Sequence, residues 1–412
     1  MAHKLFRLAW RNIWRNANRS LMTAGAVGVV VIITTTFFSL VGAVQNGLYV
    51  SLTRITGHLQ IHVSDYRQIR RWQDLLIEDA EAVETLLMDA FEATPIELVS
   101  VLTVPGLIES EGRSYGILLQ GLEQPPAVRE RYTSEYLAAG NLPELGDVTG
   151  IALGEKLAQN LQVDLGDTVY LYTPGTEGYG ASAYLVTGIL TVPNSEATAV
   201  SSLLAAQELA APGAINRIEL TFPKLTRTGD DVDLFALAES ARAGLGPGYE
   251  VETWSTVSPG LASILGLFGT VSLFLAAIFF ILAGMLVANT VYLSVIERVR
   301  EFGVLRALGI TPREVVLMIV QESVLLCFTG ALAGLLVGTL LTGLMAQGFS
   351  APGEVADFLA ERGFPKIFYG SVSNRQVAIT VGFTFATATL AALFPALNAG
   401  RLEPAEAMRF TA

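Results

Sequence analysis

A chain of 412 residues that is 51% hydrophobic and 16% charged is not an ordinary soluble domain, which carries about 25% charged residues. Its net charge of −12 argues against nucleic acid as a partner, and its single cysteine, Cys327, allows neither an intramolecular disulfide nor a cysteine metal cluster. The mean hydropathy of +0.49 is concentrated in four blocks: Ser20–Thr53, Thr253–Ile296, Val315–Gly353 and Gln376–Gly400, in which Glu322 is the one charged residue.

The chain opens on Phe6, Trp10, Ile13, Trp14 and Ala17 at helical spacing, with Lys4, Arg7, Arg11, Arg15 and Arg19 on another face. This pattern predicts an amphipathic helix over 1–20 that lies in the membrane interface with its tryptophans at headgroup level. A membrane-crossing helix needs roughly 20 mostly apolar residues, and each apolar block supplies them. The predicted spans are 21–45, 258–296 with its stalk, 312–346 and 376–399. Val41-Gly42-Ala43 resembles a signal-peptidase site. A signal core is only about 7–15 apolar residues, however, and Leu21–Val44 exceeds that, so the first span is read as uncleaved.

Residues 46–256 read as one α+β domain of two lobes. The segments GHLQIHV, VSVLTVPGLI, SYGILLQGL, SAYLVTGILTV and INRIELTF are predicted strands, and Glu81–Glu92, EKLAQNL and DLFALAESARAGL predicted helices; Gly166-Asp167 opens GDTVYLYT with a turn, and YEVETW leads back to the membrane. Beyond the second span lie a short connection, 297–311, an outer loop, 347–375, and a tail, 400–412.

Basic residues near the spans set the orientation. The leader, the 297–311 connection with the start of the third span, and the tail carry 11 basic and 5 acidic residues, whereas Asn46–Glu252 carries 12 basic and 29 acidic. Both termini and the connection are therefore expected in the cytoplasm and the large domain outside it, in a multi-pass protein of the cell (inner) membrane.

The exterior domain offers no catalytic, cofactor-binding or metal site. His58 and His62 would suit a metal if they shared a helix, but on a strand they lie about 13 Å apart. No GxSxG is present, and no GxxxxGK[ST] that could cradle a nucleotide phosphate.

The densest charge in the last third is ERVREFGVLRALG, Glu297–Gly309. Ile296, Val299, Phe302, Leu305 and Leu308 form an apolar stripe along it, and Glu297, Arg300, Glu301 and Arg306 face elsewhere. Gly303 and Gly309 are expected to bracket a short element. Thr311, Pro312 and Glu314 then form an N-cap, a first helical position and a capping box, so the third span starts cleanly. A topogenic loop needs only basic residues; a capped amphipathic foot suits docking on a protein, with Phe302 and Leu305 as its anchors.

ERVREFGVLRALG followed by Gln321-Glu322-Ser323 resembles the permeases of the FtsX-like, or type VII, ABC transporter superfamily. AWRNIWRNANRSLMT and PALNAGRLEPAEAMR resemble their two ends. GHLQIHVSDY and IALGEKLAQNLQVDLGDTVYLY resemble the exterior domain of the lipoprotein-releasing and macrolide-exporting branch. The resemblance implies a non-catalytic permease that pairs with a second permease, identical or paralogous. It also implies a separate ABC ATPase dimer holding ATP and Mg, into which Glu297–Gly309 inserts as a coupling helix. Mechanical transmission would then extract lipoprotein or another amphiphile; export of drugs or peptides, or control of an extracellular cell-wall hydrolase, are the alternatives it leaves open. In one lipoprotein-releasing subunit the stretch matching Thr173–Ser182 forms a hook for a periplasmic carrier. Here it is short and glycine-rich, which argues against carrier binding. The outer loop is expected to cover the outer mouth of the permease pair.

Overall fold

The computed structural model describes residues 17–350 and 367–401 except 93, 193, 224 and 226–233, together with 352–354, 356 and 365. Most of the expected interfacial helix 1–20, much of the outer loop 347–375 and the tail beyond Arg401 lie outside the described residues. The chain divides into two compact units, Asn46–Ser263 with Ser350–Lys366, and the remainder.

The first helix, α1 (Ala17–Thr56), does not stop at residue 45 as expected. Nothing in NGLYVSLTRIT breaks it, because the segment has no proline and its hydroxyls bond back to the helix: Thr53 Oγ1 donates to Tyr49 O (2.9 Å) and Thr56 Oγ1 to Leu52 O (3.0 Å). Val41–Ala43 lie inside this uninterrupted helix.

The inserted unit then runs β1 (Leu59–Val63), α2 (Ala80–Ala90), β2 (Glu97–Ser110), β3 (Arg113–Leu122), β4 (Leu137–Gly140), β5 (Gly150–Gly154), α3 (Glu155–Leu161), β6 (Thr168–Pro174), β7 (Tyr179–Leu190), β8 (Thr198–Ser202), α4 (Leu203–Ala210), β9 (Arg217–Thr221), α5 (Leu234–Leu245) and β10 (Tyr249–Thr253). Its strands resolve into two lobes that share β2.

In one lobe the order β10-β1-β9-β2, every neighbour antiparallel, makes a βαββαβ arrangement of ferredoxin-like type. Alternate strand positions Leu59, Ile61, Ile218, Leu220 and Val251 share a buried core with Val83 and Leu87 of α2 and Ala238, Ala241 and Leu245 of α5. Helix α2 starts where the Asp79 carboxylate accepts from Ala82 N–H (3.0 Å), satisfying an orphan donor of the first turn.

The other lobe sits between β2 and β9 in sequence. Its strands close on themselves in the order β2-β3-β8-β5-β7-β6, because β6 pairs with both β7 and β2. The ring and its two helices enclose Leu102, Val104, Ile108, Leu119, Leu153, Val169, Leu171, Tyr184 and Val186, with Leu157 and Leu161 of α3 and Ala206 of α4. Gly106 eases the close approach of β2 and β6. A Cβ there would stand 3.0 Å from Tyr172 O, near where β2 exchanges its partner β9 (97–101) for β6 (107–109).

The membrane unit takes part of α1 together with α6 (Pro259–Glu297), α7 (Val299–Ala307), α8 (Pro312–Met345) and α9 (Asn374–Arg401). Ser20–Arg54 of α1 and the whole of α6, α8 and α9 are long and apolar enough to cross a bilayer, which makes this an integral membrane protein. Small residues bring the helices together, as expected where lipid offers no hydrophobic drive between them. A Cβ on Gly330 of α8 would stand 2.2 Å from Ala24 O of α1, and one on Gly334 would stand 2.5 Å from Gly28 O. Nearer the start of α8, Ser323 Oγ donates to Ala388 O of α9 (3.2 Å), where Ala388, Ala392, Ala396 and Ala399 are buried.

Candidate functional site: the helix between two spans

Helix α6 ends at Glu297, and Arg298 leaves helical geometry at φ −111° and ψ 10°. Helix α7 follows and stops at Gly309, whose φ of +95° suits a residue without Cβ. There Gly309 N–H donates to Arg306 O (3.0 Å) and Ile310 N–H to Leu305 O (3.2 Å), the paired bonds of a glycine-ended helix. Two residues on, Glu314 N–H donates to Thr311 Oγ1 (3.4 Å) while Glu314 Oε2 accepts from Thr311 N–H (2.8 Å), and Pro312 holds the first helical position of α8. The connection is thus a helix with defined ends.

Its orientation differs from the sequence expectation. Phe302 is 1% exposed, buried in one cluster with Val315, Met318 and Ile319 of α8 and Ala396 and Ala399 of α9; Leu305, half-buried, packs against the same cluster. The apolar stripe serves the chain's own bundle, because α8 and α9 present the apolar surface that a short amphipathic helix must cover. Phe302 is therefore not free to anchor a partner, and Leu305 is only partly free to do so. The outward apolar positions are Val304, 46% exposed, and Leu308, 78% exposed, among exposed Glu297, Arg300, Glu301, Ala307 and Gly309. Arg306 is half-buried. Gly303 does not bracket the element: it lies buried inside α7, which runs through it.

Sequence reasoning missed a pairing beneath α7. Arg298, whose side chain is 9% exposed, reaches Glu322 of α8 with Nη1 at 2.9 and 3.2 Å from the two carboxylate oxygens. Its Nε donates to Glu301 Oε2 at 3.2 Å, and its guanidinium lies over the Phe302 ring, 5.2 Å from the centroid. The available signal was Glu322 itself, the lone acid in an apolar block, since such a group needs a partner.

In the inserted unit, the two histidines are held in structural bonds. His58 Nδ1 accepts from Phe222 N–H (3.2 Å), so Nε2 carries the proton and donates to Leu225 O (3.1 Å). His62 Nε2 lies 3.2 Å from Gln60 Oε1, and its ring stacks on Tyr66 at 4.0 Å. Burial pushes both down to about 4. Arg67 pairs with Glu252 (2.9 Å) beside them. Among the described residues no group of three or more His, Cys, Asp or Glu could hold a metal ion. The stretch Thr173–Ser182 is the tip of the β6–β7 hairpin, turned by Gly175 N–H donating to Gly178 O (2.6 Å).

Residues 273–404 match the family described as FtsX-like permease C-terminal, which takes in most of α6 and all of α7, α8 and α9. An ABC transporter permease of Methanocaldococcus jannaschii is 22% identical over 98% of this chain and 97% of its own length. The lipoprotein-releasing system transmembrane protein LolC of Xylella fastidiosa is 22% identical over 93% of this chain and 92% of its own. The macrolide export ATP-binding/permease protein MacB of Syntrophobacter fumaroxidans is 30% identical over 41% of this chain and 21% of its own length. Among solved structures, the periplasmic region of MacB from Actinobacillus actinomycetemcomitans covers 51% of this chain at 15% identity with a TM-score of 0.35.

Proposed function

We propose that this ABC transporter permease, which carries an FtsX-like domain, receives the motion of a separate ATPase at α7 and transmits it through its membrane helices to its inserted domain. The observation that carries the reading is α7 itself. It is a helix with two defined ends, sealed on its inner side by Phe302 and presenting Val304 and Leu308 outward within a charged rim of Glu297, Arg300 and Glu301. An apolar pair at the centre of a polar rim is the usual anatomy of a docking site. ATP and Mg belong to the ATPase partner. The excess of basic residues on the leader, the α7 connection and the tail supports cytoplasmic termini, with α7 on the side where ATP is found. A second permease, identical or paralogous, completes the unit in the cell membrane.

The relationship to LolC over nearly the whole chain supports lipoprotein or another amphiphile as cargo. The short β6–β7 tip speaks against this chain holding a soluble carrier by a hook.

Purification of the tagged full-length chain in mild detergent should bring an ABC ATPase with it. Val304→Ala/Leu308→Ala removes two outward anchors at about 2 kcal/mol or more, and the ATPase should then be lost about thirtyfold while membrane insertion is unchanged. An ATPase retained at full yield by that variant would reduce α7 to a topogenic connection.

A further inference from the structure

We infer that the Arg298–Glu322 ion pair is a positioning latch, which fixes the angle of α7 at the break after α6 and diverts force on α7 into α8 and α9. The inference rests on the transmission role proposed for α7. Arg298 stands at the one residue between α6 and α7 that is not helical, so bending is least opposed there. Apolar contacts alone would not set the angle: Phe302 packs among Val315, Met318, Ile319 and alanines, and such contact has no preferred direction. The guanidinium supplies direction. It grips Glu301 on α7 and both oxygens of Glu322 on α8 at the same time, and a planar fork holds its partners in one plane.

The connection continues into α9. Ser323, the residue after Glu322, donates to Ala388 O of α9 at 3.2 Å. A push on Val304 or Leu308 therefore meets, within a few residues, hydrogen-bonded links to two spans. An apolar bundle could have been built here without charge, and buried ion pairs are often replaceable by apolar residues without loss of stability. What they keep is a specific geometry, and that is the property a lever joint needs.

The test uses the full chain in nanodiscs, with Cys327→Ala as background and spin labels at Ala307 on α7 and Leu317 on α8. The parent should give one narrow distance distribution. Arg298→Met/Glu322→Leu, which leaves no buried charge unpaired because Glu301 is exposed to solvent, should fold and is expected to lose the single narrow peak. The charge swap Arg298→Glu/Glu322→Arg, made together with Glu301→Lys so that position 298 keeps two partners of opposite charge, should restore it. Glu322→Gln serves as a third variant, with melting temperature and size-exclusion profile recorded for all. A narrow peak persisting in the apolar pair, or no recovery in the swap, overturns the latch. These measurements need no ATPase. If no ATPase co-purifies, the reading of α7 as a docking helix fails while the latch is still decided. If one does, the apolar pair should retain it yet lose the ATP-dependent shift between the labels; a retained shift also counts against the latch.

Discussion

The two units of this chain solve packing in opposite ways. In the inserted unit the large apolar side chains point inward, and Leu102, Leu153 and Tyr184 fill a ring of strands. In the membrane unit, large side chains such as Phe274, Leu336 and Leu340 are two-thirds exposed, while Ala276, Ala388, Ala392 and Ala396 are buried. The reason is the solvent. In water, burying apolar area drives the fold; in lipid it does not, so the helices associate by close backbone approach and a few polar links. The inserted unit is held by what fills its core, and the bundle by what its interfaces leave out.

That contrast can be broken most severely from the bundle side. Gly330→Leu adds a side chain where even a Cβ would meet Ala24 O at 2.2 Å. The variant is expected to give no monodisperse protein after extraction, whereas Gly343→Leu on the same helix, with nothing within 4 Å, should purify normally. Equal behaviour of the two would remove the argument for close α1–α8 packing.

The inserted unit should be hurt by truncation instead. Leu102→Ala deletes a side chain that is 0% exposed and should cost about 2–5 kcal/mol, read as a lowered denaturation midpoint for the domain transition. Ala388→Leu, the opposite change in the bundle, completes the comparison by overpacking.

Acid should separate the units next. His58 and His62 are held at about 4 in the fold against an ordinary 6.5. The unfolded chain therefore binds more protons in that window, and stability falls as pH drops from 6.5 toward 4. The loss should be about 3 kcal/mol per histidine, confined to the inserted unit, with His58→Gln and His62→Gln each flattening the slope of melting temperature against pH. A slope unchanged in both variants would place the acid sensitivity elsewhere. Least of all, Arg71→Ala removes an exposed pair with Asp74 at 3.8 Å, and should stay within about 0.5 kcal/mol of the parent; a larger change would show that surface charge carries more of this unit than its core suggests.

Much of this was legible because period and composition carry it. Charge-free blocks reported the spans, strand patterning reported β1, β2, β3, β7 and β9, and the Thr311–Glu314 spacing reported the start of α8. Helices α2, α3 and α5 were legible by the same means. Strands β5 and β8 were not, and the ring went unseen with them. Both pair in parallel with a neighbour, and β5 is buried at all five positions, so GIALG and TAVSS show no alternation to read. The direction of α7 was hidden for a related reason. A stripe at helical spacing says which side is apolar, but the choice between covering a partner and covering the chain's own bundle depends on α8 and α9. Arg298 and Glu322, 24 positions apart, become partners only once the chain has turned back on itself.

The ferredoxin-like lobe is interrupted in sequence by the ring, and this has a consequence for biosynthesis. Strand β1 pairs with β9 and β10, the latter ending at Thr253. At roughly 5–20 residues per second, β1 emerges about ten to forty seconds before its last partner. Until β9 emerges it is unpaired on both edges, and until β10 emerges on one; one of its faces bears Leu59 and Ile61. The ring, whose strands run consecutively from β2 to β8 with β4 paired outside it on β7, can close meanwhile and bring the ends of the lobe together, shortening the loop whose closure would otherwise oppose pairing. Translation thus sets an order of assembly, ring before lobe, and a ring that closes slowly would leave β1 open to pairing with another chain.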